Sequence, residues 1–123
     1  MIGYVTLGTN DVANAAEFYD AVLAEIGATR FMASDTFIAW SVGPDSPGLS
    51  VTQPFDGQPA TVGNGAMVAL AVDTRDKVDA IYARALQMGG SDEGPPGERM
   101  EGFYAAYFRD RDGNKLNAFC AGG

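Results

Sequence analysis

The sequence predicts an α+β domain made of two tandem β-α-β-β-β modules, whose curved mixed sheet is covered by helices on one face and forms a central trough on the other. Three observations predict it. A strand–helix pattern with a polar cap and a glycine stop occurs twice, 63 residues apart. Each copy is followed by short β-prone runs separated by Gly, Pro and Asp. The chain has 123 residues, 46% of them apolar, which is enough to bury one core.

The opening GYVTLGTNDVANAAEFYDAVLAEIGATRF reads as strand, helix, strand. Tyr4 to Gly8 is short and β-prone. Asn10 supplies an N-cap oxygen, and Asp11 adds charge where the helix dipole favours it. Val12, Ala15, Ala16, Tyr19, Val22, Leu23 and Ile26 then follow at helical spacing as one apolar stripe, and Gly27 ends the helix. The segment AMVALAVDTRDKVDAIYARALQMGGSD repeats this design. Met67 to Val72 is its strand and Asp73 or Thr74 its cap. Val78, Ile81, Tyr82, Ala85 and Leu86 make its stripe, and Gly89-Gly90 is its stop. The 63-residue shift lays Val5 on Val68, Leu7 on Leu70, Asn10 on Asp73, Tyr19 on Tyr82, Leu23 on Leu86 and Gly27 on Gly90. So many matches in one register point to a duplicated unit.

The remaining strands are TFIAWSVG and GLSVTQPF in the first half, and GFYAAYFRD and KLNAFC in the second. Between the last two, RDRDGNK is a tight hairpin in which Gly113 takes a positive φ. The Pro/Gly-rich stretch Ser91 to Gly102 is expected to hold an edge strand at most and then a mobile loop. Residues 1–123 are therefore one domain: a first module over 1–55, a linker over 56–65 and a second module over 66–123.

Composition narrows the function classes. Eight basic against sixteen acidic residues give a net charge of −8, which argues against nucleic acid or an anionic membrane as a partner. No apolar run approaches the roughly 18 residues needed to span a bilayer, and no basic region precedes the first strand, so no signal peptide is expected. A single cysteine, Cys120, excludes an internal disulfide and suits a reducing cytoplasm. The absence of histidine removes Ser-His-Asp and Cys-His nucleophile systems and every metal site that depends on imidazole.

With its two modules, the stretch YVTLGTNDVANAAEFYDAVL with the aromatic pair Phe18-Tyr19, and the D-x-D-G-N hairpin at Asp110 to Asn114, the chain resembles the vicinal oxygen chelate superfamily over essentially its whole length. This is the group of glyoxalases, bleomycin-resistance proteins, fosfomycin-resistance enzymes and extradiol dioxygenases. The resemblance implies a fold, not one reaction, because the fold hosts several chemistries and pure binders. In metal-using relatives a His usually stands at the place of Tyr4, a Glu or His at about Ser50, a His at Met67 and a Glu at Asn117. Here the quartet is phenol, hydroxyl, thioether and amide, none charged at neutral pH, whereas divalent cations prefer carboxylate, thiolate or imidazole. The sequence thus implies no metal and no other cofactor.

Strand alternation is expected to put Tyr4, Asn117 and Phe119 on the trough face, with Thr6 beside Tyr4. They are either a pocket floor that binds a ligand's polar groups or a filled core in which those groups satisfy one another. Met67 is a pocket wall or core filler. Trp40, Phe37, Tyr104 and Tyr107 either stack on a flat ligand or pack the sheet; Trp40 and Tyr107 are retained as ligand-binding candidates. Glu98, Arg99 and Glu101 lie in a loop that in glyoxalase-like relatives often closes over the ligand. Arg99 is therefore a candidate for an anionic group and Glu101 for a catalytic base, against the alternative of solvated charges. Cys120 is expected on the helix side as a buried thiol, Asp110 and Asp112 in turn hydrogen bonds, and Arg75 and Asp79 as solvation of the second helix.

Three functions compete. The first is a metal-free small-molecule binder, as in the bleomycin-resistance branch. The second is a glyoxalase-like lyase or isomerase working without metal, with Tyr4 and Asn117 as hydrogen-bond donors and Glu101 as base. The third is a non-catalytic interaction subunit. In relatives of this length two chains commonly pair, so the resemblance also implies a homodimer.

Overall fold

A computed structural model describes residues 1–122. The first module runs β1 (Tyr4–Gly8), α1 (Val12–Ala24), β2 (Thr29–Ala33), β3 (Phe37–Ser41) and β4 (Gly48–Thr52). The second runs β5 (Val68–Ala71), α2 (Arg75–Gln87), β6 (Ser91–Met100), β7 (Phe103–Arg109) and β8 (Lys115–Ala121). Each module forms its own four-stranded mixed sheet, ordered β1-β4-β3-β2 and β5-β8-β7-β6. In each, the first strand is parallel to the last and the other pairs are antiparallel.

The repeat is visible in the fold. Shifting α1 and its cap Asp11 by 63 residues gives the bounds of α2 and its cap Thr74. The caps differ slightly from expectation. Asp11, rather than Asn10, accepts the Asn14 amide at 3.0 Å. Asn10 instead reaches the linker, accepting the Ala60 amide at 2.7 Å. The left-handed stops are Gly27 (φ 76°) and Gly89 (φ 93°). Gly90 is used for close packing instead.

Each helix lies on its own sheet, and the two helices touch. One continuous core results, drawing Ala15, Phe18, Tyr19, Val22 and Leu23 from α1, Val78, Ile81 and Ala85 from α2, and the inner faces of both sheets. This is why the buried arc of α1 is wider than one stripe. Phe18, fully buried, turns from its own sheet toward the second module, where it abuts Gly90. Burying a side chain of that size contributes about 1.5–3 kcal/mol.

The Asp110–Asn114 turn joins the modules. Asp110 is buried and accepts from the Tyr19 hydroxyl at 2.6 Å, the Asn114 side chain at 3.0 Å, and the Asp112 and Asn114 amides at 2.9 Å each. Asn114 Nδ2 also donates to the Gly8 carbonyl at 2.9 Å. Arg111 donates to the carbonyls of Met88 and Asn14 at the helix junction, 2.6 and 3.1 Å away. Burial, reinforced by the Asp110 carboxylate, pushes the Tyr19 phenol well above its usual pKa, so it stays a donor. The aromatic pair and the hairpin that carry the family resemblance are therefore two halves of one structural contact.

Two sequence expectations are corrected. Ser91 to Gly102 is not a mobile loop: Ser91–Met100 is a ten-residue edge strand whose register slips at three places. Pro95 and Pro96 are tolerated because an edge strand has one side without ladder bonds, and the bulges absorb the rest. Arg75 and Asp79 do more than solvate α2. Arg75 pairs with Glu98 at 3.6 Å and covers the Tyr104 ring, and Asp79 accepts the Tyr104 hydroxyl at 2.6 Å. That hydrogen bond, then burial, raises the Tyr104 pKa.

In the first module, Asp20 accepts both Arg30 (2.6 and 2.9 Å) and the Trp40 indole N–H (2.8 Å). The Arg30 hydrogen bonds hold the Asp20 carboxyl below the usual range against partial desolvation, and the indole adds to them. A depressed folded-state pKa stabilises the fold above the unfolded value of about 3.9, and that contribution is lost as pH falls through the folded value. Fluorescence of Trp40, the single tryptophan, should therefore hold steady down to about pH 4 and change below it. In Asp20→Asn this step should vanish. A transition centred above about pH 5 would contradict the assignment.

Candidate functional site

Each sheet has one face under its helix and one face open. On the first, Tyr4, Thr6 and Ser50 share the open face, with Thr6 register-paired to Ser50. Ser50 is fully buried; its hydroxyl donates to the Val5 carbonyl at 2.9 Å and lies 2.9 Å from the Thr6 hydroxyl. Tyr4 is 62% exposed and meets Phe37 edge to face. Ala69 pairs with Asn117 in the second sheet as Thr6 pairs with Ser50 in the first. Met67, just before β5, is exposed. Tyr4 therefore shares a type of face with Asn117 and Phe119, but on a different sheet.

The second open face is the richer one. Alternation along β8 presents Lys115, Asn117 and Phe119, and β7 adds Tyr107 opposite Asn117 and Ala105 opposite Phe119. Asn117 is 1% exposed, and its Oδ1 has no hydrogen-bond partner, alone among the buried side-chain polar atoms of the described residues. Phe119 stacks on Phe103 with ring centroids 5.2 Å apart. The Arg99 guanidinium and the Lys115 ammonium each lie over the Tyr107 ring, 5.5 and 5.6 Å from its centroid. Arg99 reaches inward from β6 and donates to the Pro95 carbonyl. Its guanidinium rests where glycines leave room: a Cβ on Gly97 would stand 2.8 Å from it, and one on Gly94 3.2 Å.

Two expected site residues, Trp40 and Glu101, lie elsewhere, as does the aromatic Tyr104. Trp40 is 1% exposed and sits beneath α1 against Tyr19, because the register that puts Ser50 on the open face turns Trp40 to the helix face. It lines the inner wall of an apolar cleft of about 580 Å³ between β1 and β5 but offers no stacking surface on the open face. Tyr104 faces α2 for the same reason of alternation. Glu101 is in the β6–β7 turn. Four residues of β7, roughly 13 Å, separate the turn end of that strand from Tyr107, the partner of Asn117. Glu101 lies beyond that end of the strand, away from Asn117, and neither it nor Arg99 belongs to a closing loop: Arg99 is in β6 and Glu101 in the tight turn after it. Lys115 and Phe103 went unnoticed in the sequence. The alternation Lys115-Asn117-Phe119 was the available signal for the first; Phe103 needed the β7–β8 register.

The donor set fits a divalent cation poorly. Ser50 is committed within its own sheet, Tyr4 and Met67 are exposed, and Asn117 brings a neutral amide. Among the described residues no three His, Cys, Asp or Glu side chains gather where they could hold a metal ion. No helix among them is long and apolar enough to cross a membrane.

Comparison with known proteins agrees with the fold. A glyoxalase/bleomycin resistance protein from Albidiferax ferrireducens T118 is 36% identical, superposes with a TM-score of 0.90, and is matched over 98% of both chains. A hypothetical protein from S. aureus is 23% identical over 98% of this chain and 93% of that one, with a TM-score of 0.76. A glyoxalase/bleomycin resistance protein/dioxygenase family enzyme from Burkholderia phytofirmans PsJN, at 18% identity and 97% of both chains, gives the same score. At those two identities the likeness is one of fold alone. Among curated proteins no match is found. The family model of the Glyoxalase/Bleomycin resistance protein/Dioxygenase superfamily matches residues 1–118, and with the duplicated fold already in view the chain belongs to that superfamily.

Proposed function

We propose that the chain binds a small molecule on its open sheet face and does so without a metal ion. The observation that supports this most is the donor set, which is uncharged at all four places where metal-using relatives carry ligands. The orphaned Asn117 oxygen supports it as well. A buried acceptor with no donor is destabilising by about 1–3 kcal/mol, which a ligand's N–H or O–H would recover. The reading as a metal-independent isomerase is weaker, because Glu101, its base, sits in the distant turn.

The same reading has two chains pairing as a homodimer. β1 and β5 are edge strands, each hydrogen-bonded on one side only. Ile2, Tyr4 and Met67 are exposed beside them, next to the apolar cleft. Open edges with exposed apolar neighbours invite a partner. Light scattering should then give about twice the chain mass of 12.9 kDa; the mass of one chain would count against pairing. The buried, unpaired Cys120 suits a reducing compartment such as the cytoplasm.

The test of the main reading is direct. Titration with Zn²⁺, Ni²⁺, Mn²⁺ or Fe²⁺ leaves Tm unchanged. A cognate ligand at a hundred times its Kd stabilises the fold by about 2.7 kcal/mol. Stoichiometric metal in the purified protein, found by elemental analysis, would overturn the proposal.

A further inference from the structure

The eight basic side chains divide unevenly. Arg30, Arg75, Lys77, Arg84, Arg109 and Arg111 each have a carboxylate 2.6 to 3.6 Å away. Arg99 and Lys115 have none among the described residues, although acids outnumber bases two to one. These two cations converge on one ring, that of Tyr107. Tyr107 is the register partner of Asn117, whose oxygen is the orphaned one. Charge bookkeeping and hydrogen-bond satisfaction are independent observations, and they single out the same few residues.

We infer that this face takes an amphipathic organic anion: an oxyanion group held by Arg99 and Lys115, an N–H or O–H donor against Asn117 Oδ1, and an apolar or aromatic body on Phe119 and Phe103. The inference rests on the proposed function and names its ligand class. The order follows from the strand. Lys115, Asn117 and Phe119 alternate on one face of β8, about 7 Å apart, so cation, acceptor and aromatic stand in line. Both cations already lie within 5.6 Å of the Tyr107 ring centroid, and this cation–π contact steadies them without neutralising them. Arg99 brings a planar fork suited to carboxylate or phosphate, and Lys115 a point charge. Asn117 Oδ1 lies below the surface, so the ligand reaches it by parting side chains.

Hippurate has the required order: carboxylate, N–H, phenyl. Its ketone isostere 3-benzoylpropionate lacks the N–H, and hippuramide lacks the charge. Calorimetry with the full chain should show hippurate binding, 3-benzoylpropionate about tenfold more weakly, and hippuramide not measurably. Added salt should weaken hippurate. Arg99→Gln and Lys115→Gln, both at solvent-accessible side chains, should each weaken hippurate tenfold or more with Tm unchanged. Asn117→Leu should raise Tm, since it removes an orphaned acceptor, and should bring hippurate down to the level of its isostere. Benzoylaminomethylphosphonate distinguishes the oxyanions: tighter than hippurate means a phosphate-like group, weaker means a carboxylate. The inference is overturned if both charge-removing variants bind hippurate within twofold of the parent, or if hippuramide binds as well as hippurate. In the second case a neutral ligand occupies the face and the broader proposal stands. If the anions fail and a set of neutral aromatic compounds also fails to shift Tm, both readings fall together.

Discussion

Replacing Asp110 with alanine should lower the free energy of unfolding by about 3–5 kcal/mol, a drop of about 10 °C or more in Tm. The carboxylate is 5% exposed and accepts four hydrogen bonds. Its removal leaves a buried phenol, a side-chain amide and two backbone amides without their acceptor, and unmade buried bonds are more damaging than made ones are helpful. Tyr19→Phe alone should be milder, about 1–3 kcal/mol, since the carboxylate keeps its other donors. In the Asp110→Ala background the same change should be close to neutral, because the hydroxyl it deletes is already orphaned. Urea unfolding of the four proteins in this cycle measures the coupling directly. Additive losses, or a loss below about 1 kcal/mol for Asp110→Ala, would mean that the turn does not join the modules through this contact.

Gly90→Ala should be almost as severe, about 3 kcal/mol, at the upper end of what overpacking does. A Cβ there would stand 2.6 Å from the Arg109 carbonyl oxygen and 2.8 Å from that of Ala85, with the Phe18 ring at 3.1 Å. Both oxygens belong to backbone, one in β7 and one in α2, so neither can swing aside as a side-chain tip would. Gly97→Ala is the control. Its nearest obstacle, also at 2.8 Å, is the end of the Arg99 side chain, which can move. Thermal unfolding should therefore separate the two substitutions widely; equal effects would show that the crowding at Gly90 relaxes.

Much of the fold was legible because it rests on local periodicity. The 3.6-residue stripes, the caps and the glycine stops marked both helices. The match of α1 to α2 at the 63-residue shift is closer in the structure than the residue pairs suggested. The strand Ser91–Met100 was hidden by composition: Pro and Gly weaken a strand signal, yet an edge with bulges accommodates them. Trp40 and Tyr104 were ambiguous for another reason. Alternation says which residues share a face, but not which face the helix covers, and that depends on register with strands far away in sequence.

The chain order alone determined the family and the doubled module, because each is a matter of which residue stands where along a periodic element. Only the tertiary structure decided which groups are satisfied. Ser50 found the Val5 carbonyl, Tyr19 found Asp110, and six bases found acids, whereas among the described residues Asn117 Oδ1 found no donor and Arg99 and Lys115 no carboxylate. Satisfaction is a three-dimensional property. A hydrogen bond or ion pair works over about 3–4 Å, and its partners lie up to 106 residues apart along the chain, a separation that no local pattern encodes.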